Sequence, residues 1–202
     1  VCAYHGWAYS TSGKCVRIPS LPPDHPIPKK ACLTPYLAEE RYGIVWVCLS
    51  DHPKISIPDF PAFEDPEYQV TYRDERVWKC SAARAMENFF DLGHFPWVHE
   101  GILGNRSRPI TPNMKVENDR EKLHFWYTDP PKPDDPFPHR RNYTLHRPFS
   151  IYQWSEHPNG KTVAVVSPHC PQTQKVCTRF VLCAERENLV AKQESISSEN
   201  AF

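Results

Sequence analysis

Six runs rich in β-branched and aromatic residues succeed one another in the second half of the sequence: Met114–Glu117, Lys122–Thr128, Asn142–His146, Ser150–Trp154, Thr162–Ser167 and Thr178–Ala184. Each has strand length, and Asn159-Gly160 between two of them signals a tight two-residue turn. The succession predicts an antiparallel sheet of hairpins. Tyr68–Lys79 predicts a further strand leading into a helix. Arg41–Leu49 is dense enough in apolar residues to predict a buried strand that closes a smaller domain. Pro is frequent at 22 residues and Gly scarce at 7, which favours long connecting loops over flexible linkers. One such loop is Asp129–His139, read as a surface loop with a lid or interface arm as the second possibility.

The rest of the composition excludes more than it assigns. With 202 residues, 40% of them hydrophobic, the chain can bury one large core or two smaller ones. Lys plus Arg equal Asp plus Glu at 24 each, so net charge points neither to nucleic acid nor to a membrane surface. No apolar run approaches a membrane span. The eight cysteines are scattered, unlike a small disulfide scaffold, and predict a reducing, cytoplasmic setting. Val1 is not a start residue, so the natural N-terminus is expected upstream and targeting signals are not read.

Chemistry concentrates in Asn88-Phe89-Phe90-Asp91-Leu92-Gly93-His94-Phe95-Pro96-Trp97-Val98-His99. On a helix, residues three apart differ by about 60° around the axis, so Asn88, Asp91 and His94 would share a polar stripe. His99 lies about 140° from His94 on an unbroken helix, too far for one ion. Pro96 disfavours helix at Phe95, so the chain is expected to kink there and swing His99 back. Two imidazoles and a carboxylate suit a non-haem Fe(II) that keeps open positions for O2; they suit zinc as well, and buried core histidines are the plain alternative.

A second candidate opens the chain. Cys2-Ala3-Tyr4-His5-Gly6-Trp7 is a Cys-x-x-His pair between apolar residues, which alone is half a zinc site or chance. In this context it resembles the second ligand loop of Rieske [2Fe-2S] domains, where each of two loops gives one Cys and one His.

The two motifs, in this order and about ninety residues apart with the Tyr42–Val47 run between them, resemble the oxygenase (alpha) component of Rieske non-haem iron oxygenases, of the single-component branch with dicamba, vanillate and phthalate-type enzymes. The resemblance covers essentially the whole chain. It implies an α+β fold: the C-terminal half of a Rieske β-domain over residues 1–52, then a partial catalytic domain over 53–202 whose antiparallel sheet curls around a helix. It implies Cys2 and His5 as ligands of a [2Fe-2S] cluster and His94 and His99 as ligands of a mononuclear Fe(II). Asp91 and Asn88 are the candidate catalytic residues. In the family the Asp at the Asp91 position joins the iron histidine to a Rieske histidine of the neighbouring subunit, which makes a homotrimer part of the mechanism. Electrons come from NAD(P)H through a reductase or ferredoxin, and O2 is used to hydroxylate or O-demethylate an aromatic substrate, here expected to be carboxylated.

Two family parts have no match. The first Rieske loop, of Cys-x-His type, belongs upstream of Val1. The third iron ligand, an Asp on a C-terminal helix, has no counterpart, because Glu185, Glu187, Glu194 and Glu199 follow too soon after the last strand. The chain is therefore expected to be cut at both ends. A Rieske ferredoxin-like electron carrier and a structural zinc protein using Cys2, His5, His94 and His99 are the alternatives. Tyr143, His146, Phe149, Tyr152, Trp154 and His169 are candidates for either the substrate pocket or the core, and Arg140, Arg141 and Arg147 for receiving a carboxylate or for a solvated basic face.

Overall fold

The structure, a computed structural model, describes residues 1–129, 138–157 and 160–186. The chain divides into two units, Val1–Ile57 and the part from Pro58 onward, and the division falls in the proline-punctuated stretch after Asp51.

In the first unit, strands β1 (Ala8–Tyr9) and β2 (Cys15–Arg17) pair antiparallel across a turn closed by Gly13 N–H donating to Ser10 O at 3.0 Å. The expected single buried strand over Arg41–Leu49 is a hairpin instead: β3 (Leu37–Arg41) turns back into β4 (Ile44–Cys48). Tyr42 and Gly43 both take positive φ, the two-residue turn whose twist matches paired strands. Only alternate side chains of β4 turn inward, so Val45 is 66% and Val47 57% exposed. A run apolar throughout looks buried in sequence, yet in a two-stranded hairpin one face is open.

The second unit is built on one seven-stranded antiparallel sheet. Its strands are β5 (Gln69–Trp78), β6 (Lys115–Asn118), β7 (Lys122–Asp129), β8 (His139–His146), β9 (Ser150–Glu156), β10 (Thr162–Thr173) and β11 (Val176–Arg186). The spatial order is β5-β11-β10-β9-β8-β7-β6, a chain of hairpins with β5 joined at the far edge. The sheet meets the expectation, and β8, β10 and β11 run longer than the patterns predicted. The turn between β9 and β10 is closed by His157 N–H donating to Lys161 O at 2.8 Å, with Gly160 at positive φ; Asn159 lies outside the described residues. So do most of the expected Asp129–His139 loop and Glu187, Glu194 and Glu199.

Between β5 and the rest of the sheet the chain makes helix α1 (Ala82–Phe90). Ser81 caps it by accepting from the Arg84 N–H at 3.2 Å. Ala82, Ala85, Met86 and Phe89 recur at helical spacing and are buried against Ile151 of β9 and Cys177 of β11, with Trp78, Leu145 and Phe149 around them. A second cluster joins Leu92 to Phe125, Tyr127 and Tyr143, with Phe90 and Phe95 packed on it. Strand alternation puts Phe125, Tyr127 and Asp129 of β7 on this helix-side face together with Arg141 and Tyr143 of β8. The opposite face is covered by the segment around the 3-10 turn Pro61–Phe63, where Ala62 packs with Ala164 and Ala184, and Phe63, Tyr68, Tyr152 and Trp154 surround them.

Candidate metal centre

Helix α1 ends at Phe90 because Asp91 takes extended ψ, and its carboxylate then accepts the Gly93 N–H at 2.9 Å to hold a local turn. Here the structure departs from the expected geometry. The break precedes His94, so Asn88, Asp91 and His94 do not share a helical stripe. Pro96 breaks nothing: it sits in the first turn of the short helix α2 (Phe95–Val98), the one place where a missing N–H is tolerated. His94 and His99 are the two flanking residues of α2.

That arrangement brings the two imidazoles together, with ring centroids 5.2 Å apart and planes at 64°. A metal-bound imidazole nitrogen lies about 2.1 Å from the ion, which separates two ring centroids on one ion by about 5 Å at ordinary coordination angles. The observed spacing fits. Asp91 Oδ2 lies 3.3 Å from His94 Nδ1, so the carboxylate can accept a hydrogen bond from Nδ1–H and leave Nε2 as the coordinating atom. The His94 side chain is 16% exposed and that of Asp91 60%. Asn88 is exposed on α1 and, with Trp78, Cys80, Arg84, Glu87 and Asp91, lines an open cleft of about 440 Å³. Among the described residues no group of three or more His, Cys, Asp or Glu is gathered to hold a metal, so His94 and His99 stand as a pair.

The sequence reading missed what braces this pair. Gly104 lies so close to Pro96 that a Cβ there would meet its nitrogen at 2.5 Å, and only glycine allows the loop after His99 to fold back. Arg106 pairs with Glu100 at 2.9 Å and donates to Trp97 O at 3.3 Å. An isolated glycine followed two residues on by arginine carries no recognisable pattern. Neither role was legible.

In the first unit, the loop Cys2–Trp7 is closed twice: Gly6 N–H donates to Cys2 O at 2.9 Å and Cys2 N–H to Trp7 O at 2.7 Å. Gly6 has φ of +70°, and a Cβ there would stand 3.1 Å from Pro19. Tight closure turns Cys2 and His5 outward, and both are exposed. An exposed thiol and an exposed imidazole on one closed loop suit one edge of a [2Fe-2S] cluster. All eight cysteines are free thiols.

The candidates for a substrate pocket separate by sheet face. Tyr143, Phe149 and His169 lie on the helix side. His146, Tyr152 and Trp154 lie on the other, packed with Phe60 and the 3-10 segment, and so do not face His94. Burial lowers the His146 pKa. None of the three arginines is an open carboxylate receptor. Arg141 forms a buried ion pair with Asp129, Arg147 donates to Asp119 O at 2.6 Å and Asn118 Oδ1 at 2.7 Å, and Arg140 lies over Trp126 on the opposite face. The phenol of Tyr127, 3.4 Å from that of Tyr143, is held above its ordinary pKa by burial, as is Tyr143. No helix among the described residues is long and apolar enough to cross a membrane.

Comparison with known proteins gives matches over both units. Residues 78–201 match the vanillate O-demethylase oxygenase C-terminal domain, and residues 1–37 match the Rieske [2Fe-2S] domain. Methylxanthine N1-demethylase NdmA of Pseudomonas putida is 30% identical over 194 residues, 93% of this chain and 54% of the relative. The structure of NdmA with caffeine superposes with a TM-score of 0.81 at 30% identity, covering 91% of this chain and 55% of that one. Dicamba monooxygenase bound to dicamba shares the fold at a TM-score of 0.77 and 17% identity, over 91% of this chain and 59% of that one. The match spans about half the length of NdmA. A domain match over more than half the chain, with the Rieske match ahead of it, makes this chain a member of the vanillate O-demethylase-type oxygenase components of Rieske non-haem iron oxygenases.

Proposed function

We propose that the protein oxidises an aromatic substrate with O2, by hydroxylation or demethylation, using electrons from NAD(P)H delivered through a reductase or ferredoxin. The observation that carries this is the His94–His99 pair at single-ion spacing, with Asp91 on His94 Nδ1, in a chain whose first 37 residues match a Rieske domain. NdmA is named for a methylxanthine, a substituted ring.

Cys2 and His5 would hold one side of a [2Fe-2S] cluster, and His94 and His99 a mononuclear Fe(II). When bound, these groups supply one-electron transfer and O2 activation. The chain's own residues do the positioning. Asp91 fixes the tautomer and rotation of His94. Phe95 meets the His94 ring edge-on and packs with Phe90 on the cluster of Leu92 and Phe125, which puts an apolar surface next to the histidine. The exposed face of Asp91, with Asn88 in the same cleft, is where a neighbouring subunit of a homotrimer would dock its Rieske domain. The domain division is assigned to a Rieske part ending near residue 52 and a catalytic part beyond it, and the setting to the cytoplasm.

Metal analysis and turnover of the full-length protein test the reading. His94→Ala and His99→Ala should each lose one iron per subunit and all oxygenation while acid-labile sulfide is kept; Cys2→Ser should lose the cluster's EPR signal. Asp91→Asn should keep both metals and slow single-turnover oxidation of a pre-reduced cluster by orders of magnitude. Zinc without sulfide would establish the zinc protein instead, and cluster iron alone the electron carrier.

A further inference from the structure

Two of the free thiols come together where α1 begins. Cys177, near the start of β11, is fully buried in the cluster beneath α1, and the half-buried Cys80 packs against the same cluster. Strand register puts them there. Cys177 stands directly opposite Trp78, the last residue of β5; Cys80 follows two positions on, and Ser81 then caps the helix. Trp78 and Cys80 both pack on that cluster, so the chain keeps Cys80 on the helix side as it leaves the strand. Burial raises the Cys177 thiol pKa, and the neighbouring Cys80 thiol, by its charge and by a side-chain hydrogen bond, raises it further.

The two thiols differ in what can reach them. Cys80 lines the open cleft of about 440 Å³ beside α1, whereas Cys177 is sealed from solvent. A small oxidant in the cleft therefore meets Cys80 first. Cys170 on β10 is exposed, but it pairs with Thr178, so strand alternation turns it to the opposite face of the sheet from Cys177. The chemistry balances within the pair and one peroxide. Cys80–SH and H2O2 give the sulfenic acid Cys80–SOH and water. The Cys177 sulfur then attacks the Cys80 sulfur, the S–S bond forms, and the sulfenic oxygen leaves with the Cys177 proton as a second water. The two thiols give up two electrons and the peroxide takes them.

We propose that Cys80 and Cys177 form a peroxide-sensitive modification site, at which hydrogen peroxide closes a reversible disulfide that fastens the start of α1 to β11. The bond closes a loop of about a hundred residues, and long loops are where a crosslink restricts the unfolded chain most. Its effect falls on the helix whose far end places Asp91. None of these steps uses iron or a cluster, so the site is independent of the oxygenase reading.

The test is peptide mapping by mass spectrometry of the full-length holoenzyme, treated with hydrogen peroxide at one equivalent per subunit, quenched with catalase and alkylated. Trypsin cuts after Lys79, Arg84, Lys175 and Arg179, so the bridge reads as one short linked pair of peptides. That pair should be absent before treatment, carry most of the oxidised thiol afterwards, and vanish with dithiothreitol. Cys177→Ala should stop Cys80 at a sulfenic acid that dimedone labels, whereas Cys80→Ser should leave Cys177 reduced; the Ser variant, at the half-buried position, decides the matter should the Ala variant not fold. Oxidation should raise the melting temperature of the wild type relative to that of Cys80→Ser by about 5 °C or more, a comparison in which any damage to a cluster cancels. Both thiols still open to alkylation after treatment, Cys80 halting at the sulfenic acid in the wild type, or a bridge from Cys80 to Cys170 or to another subunit overturns the proposal. So do equal melting shifts in the wild type and Cys80→Ser.

Discussion

The two faces of the seven-stranded sheet are made from the same alternating strands and bury different things. Beneath the Pro61–Phe63 segment, small Ala62, Ala164 and Ala184 interlock with Phe60, Phe63, Tyr152 and Trp154, and the buried Thr162 donates to Tyr68 Oη at 2.9 Å. Beneath α1, the apolar cluster is interrupted by Asp129 with Arg141, by the paired phenols of Tyr127 and Tyr143, and by His169. Polar groups out of water weaken a core unless each is matched, so a fold concerned only with stability would make the two faces alike. The face that shelters the ion pair and the paired phenols is the one reached by the segment that carries His94 and His99, while the other shelters His146 and Thr162. Stability is concentrated on one side and chemistry on the other.

The comparison breaks most sharply at Phe60, which is fully buried on the plain face. Phe60→Ala should cost about 3–5 kcal/mol in urea unfolding, with iron content per folded subunit unchanged. Loss of iron in proportion to stability would erase the division between the faces.

Next in size is the acid response of His169. Its folded pKa of about 4 lies below the unfolded value of 6.5, so the unfolded chain binds the extra proton between them. The contribution is complete above pH 6.5 and is lost as pH falls towards 4, to a total of about 3 kcal/mol. His169→Phe should flatten the stability curve over that window, measured by denaturant titration at closely spaced pH. A wild type whose stability is level from pH 6.5 to 4 would mean that His169 is solvated.

The smallest effect is at the cap that fixes where α1 begins. Ser81→Ala should lower stability by about 1 kcal/mol and leave the iron site intact, as read by melting temperature and metal content together. A larger loss of iron than of stability would show that the start of α1, and not its end at Asp91, sets the position of the histidines.

The legible parts of the fold were those written in short-range pattern. Alternation located every strand of the large sheet, and Asn159-Gly160 marked the β9–β10 connection. Arg41–Leu49 misled because an apolar run outweighed the turn residues Tyr42-Gly43 inside it. Pro96 misled for a related reason: a proline reads as a breaker until the helix start that it occupies is known. The pocket candidates illustrate a different limit. Tyr143 and His146 are three apart on one strand, which alone puts them on opposite faces, but which face meets the helix depends on pairings the sequence does not print. Likewise, nothing local tells that Arg141 is spent on Asp129, twelve residues away across a hairpin. The ligand histidines were legible because their chemistry is rare, whereas their bracing by Gly104 and Arg106 was not.

Among the described residues strand β5 has its one neighbour in the sheet in β11, with Trp78 opposite Cys177, about a hundred residues later in the chain. The polypeptide that emerges first therefore contains β5 and the histidine segment but not β7, β8, β9 or β11, on which α1 and Leu92 also rest. At ribosomal rates of 5–20 residues per second, the interval before β11 is made is on the order of 5–20 s. A helix as short as α1 is marginal without tertiary support, and the part of that support given by Cys177 arrives only with β11. Leu92 gains Phe125, Tyr127 and Tyr143 earlier, with β7 and β8. The histidine segment is thus anchored in two stages, first beside Leu92 and then through α1.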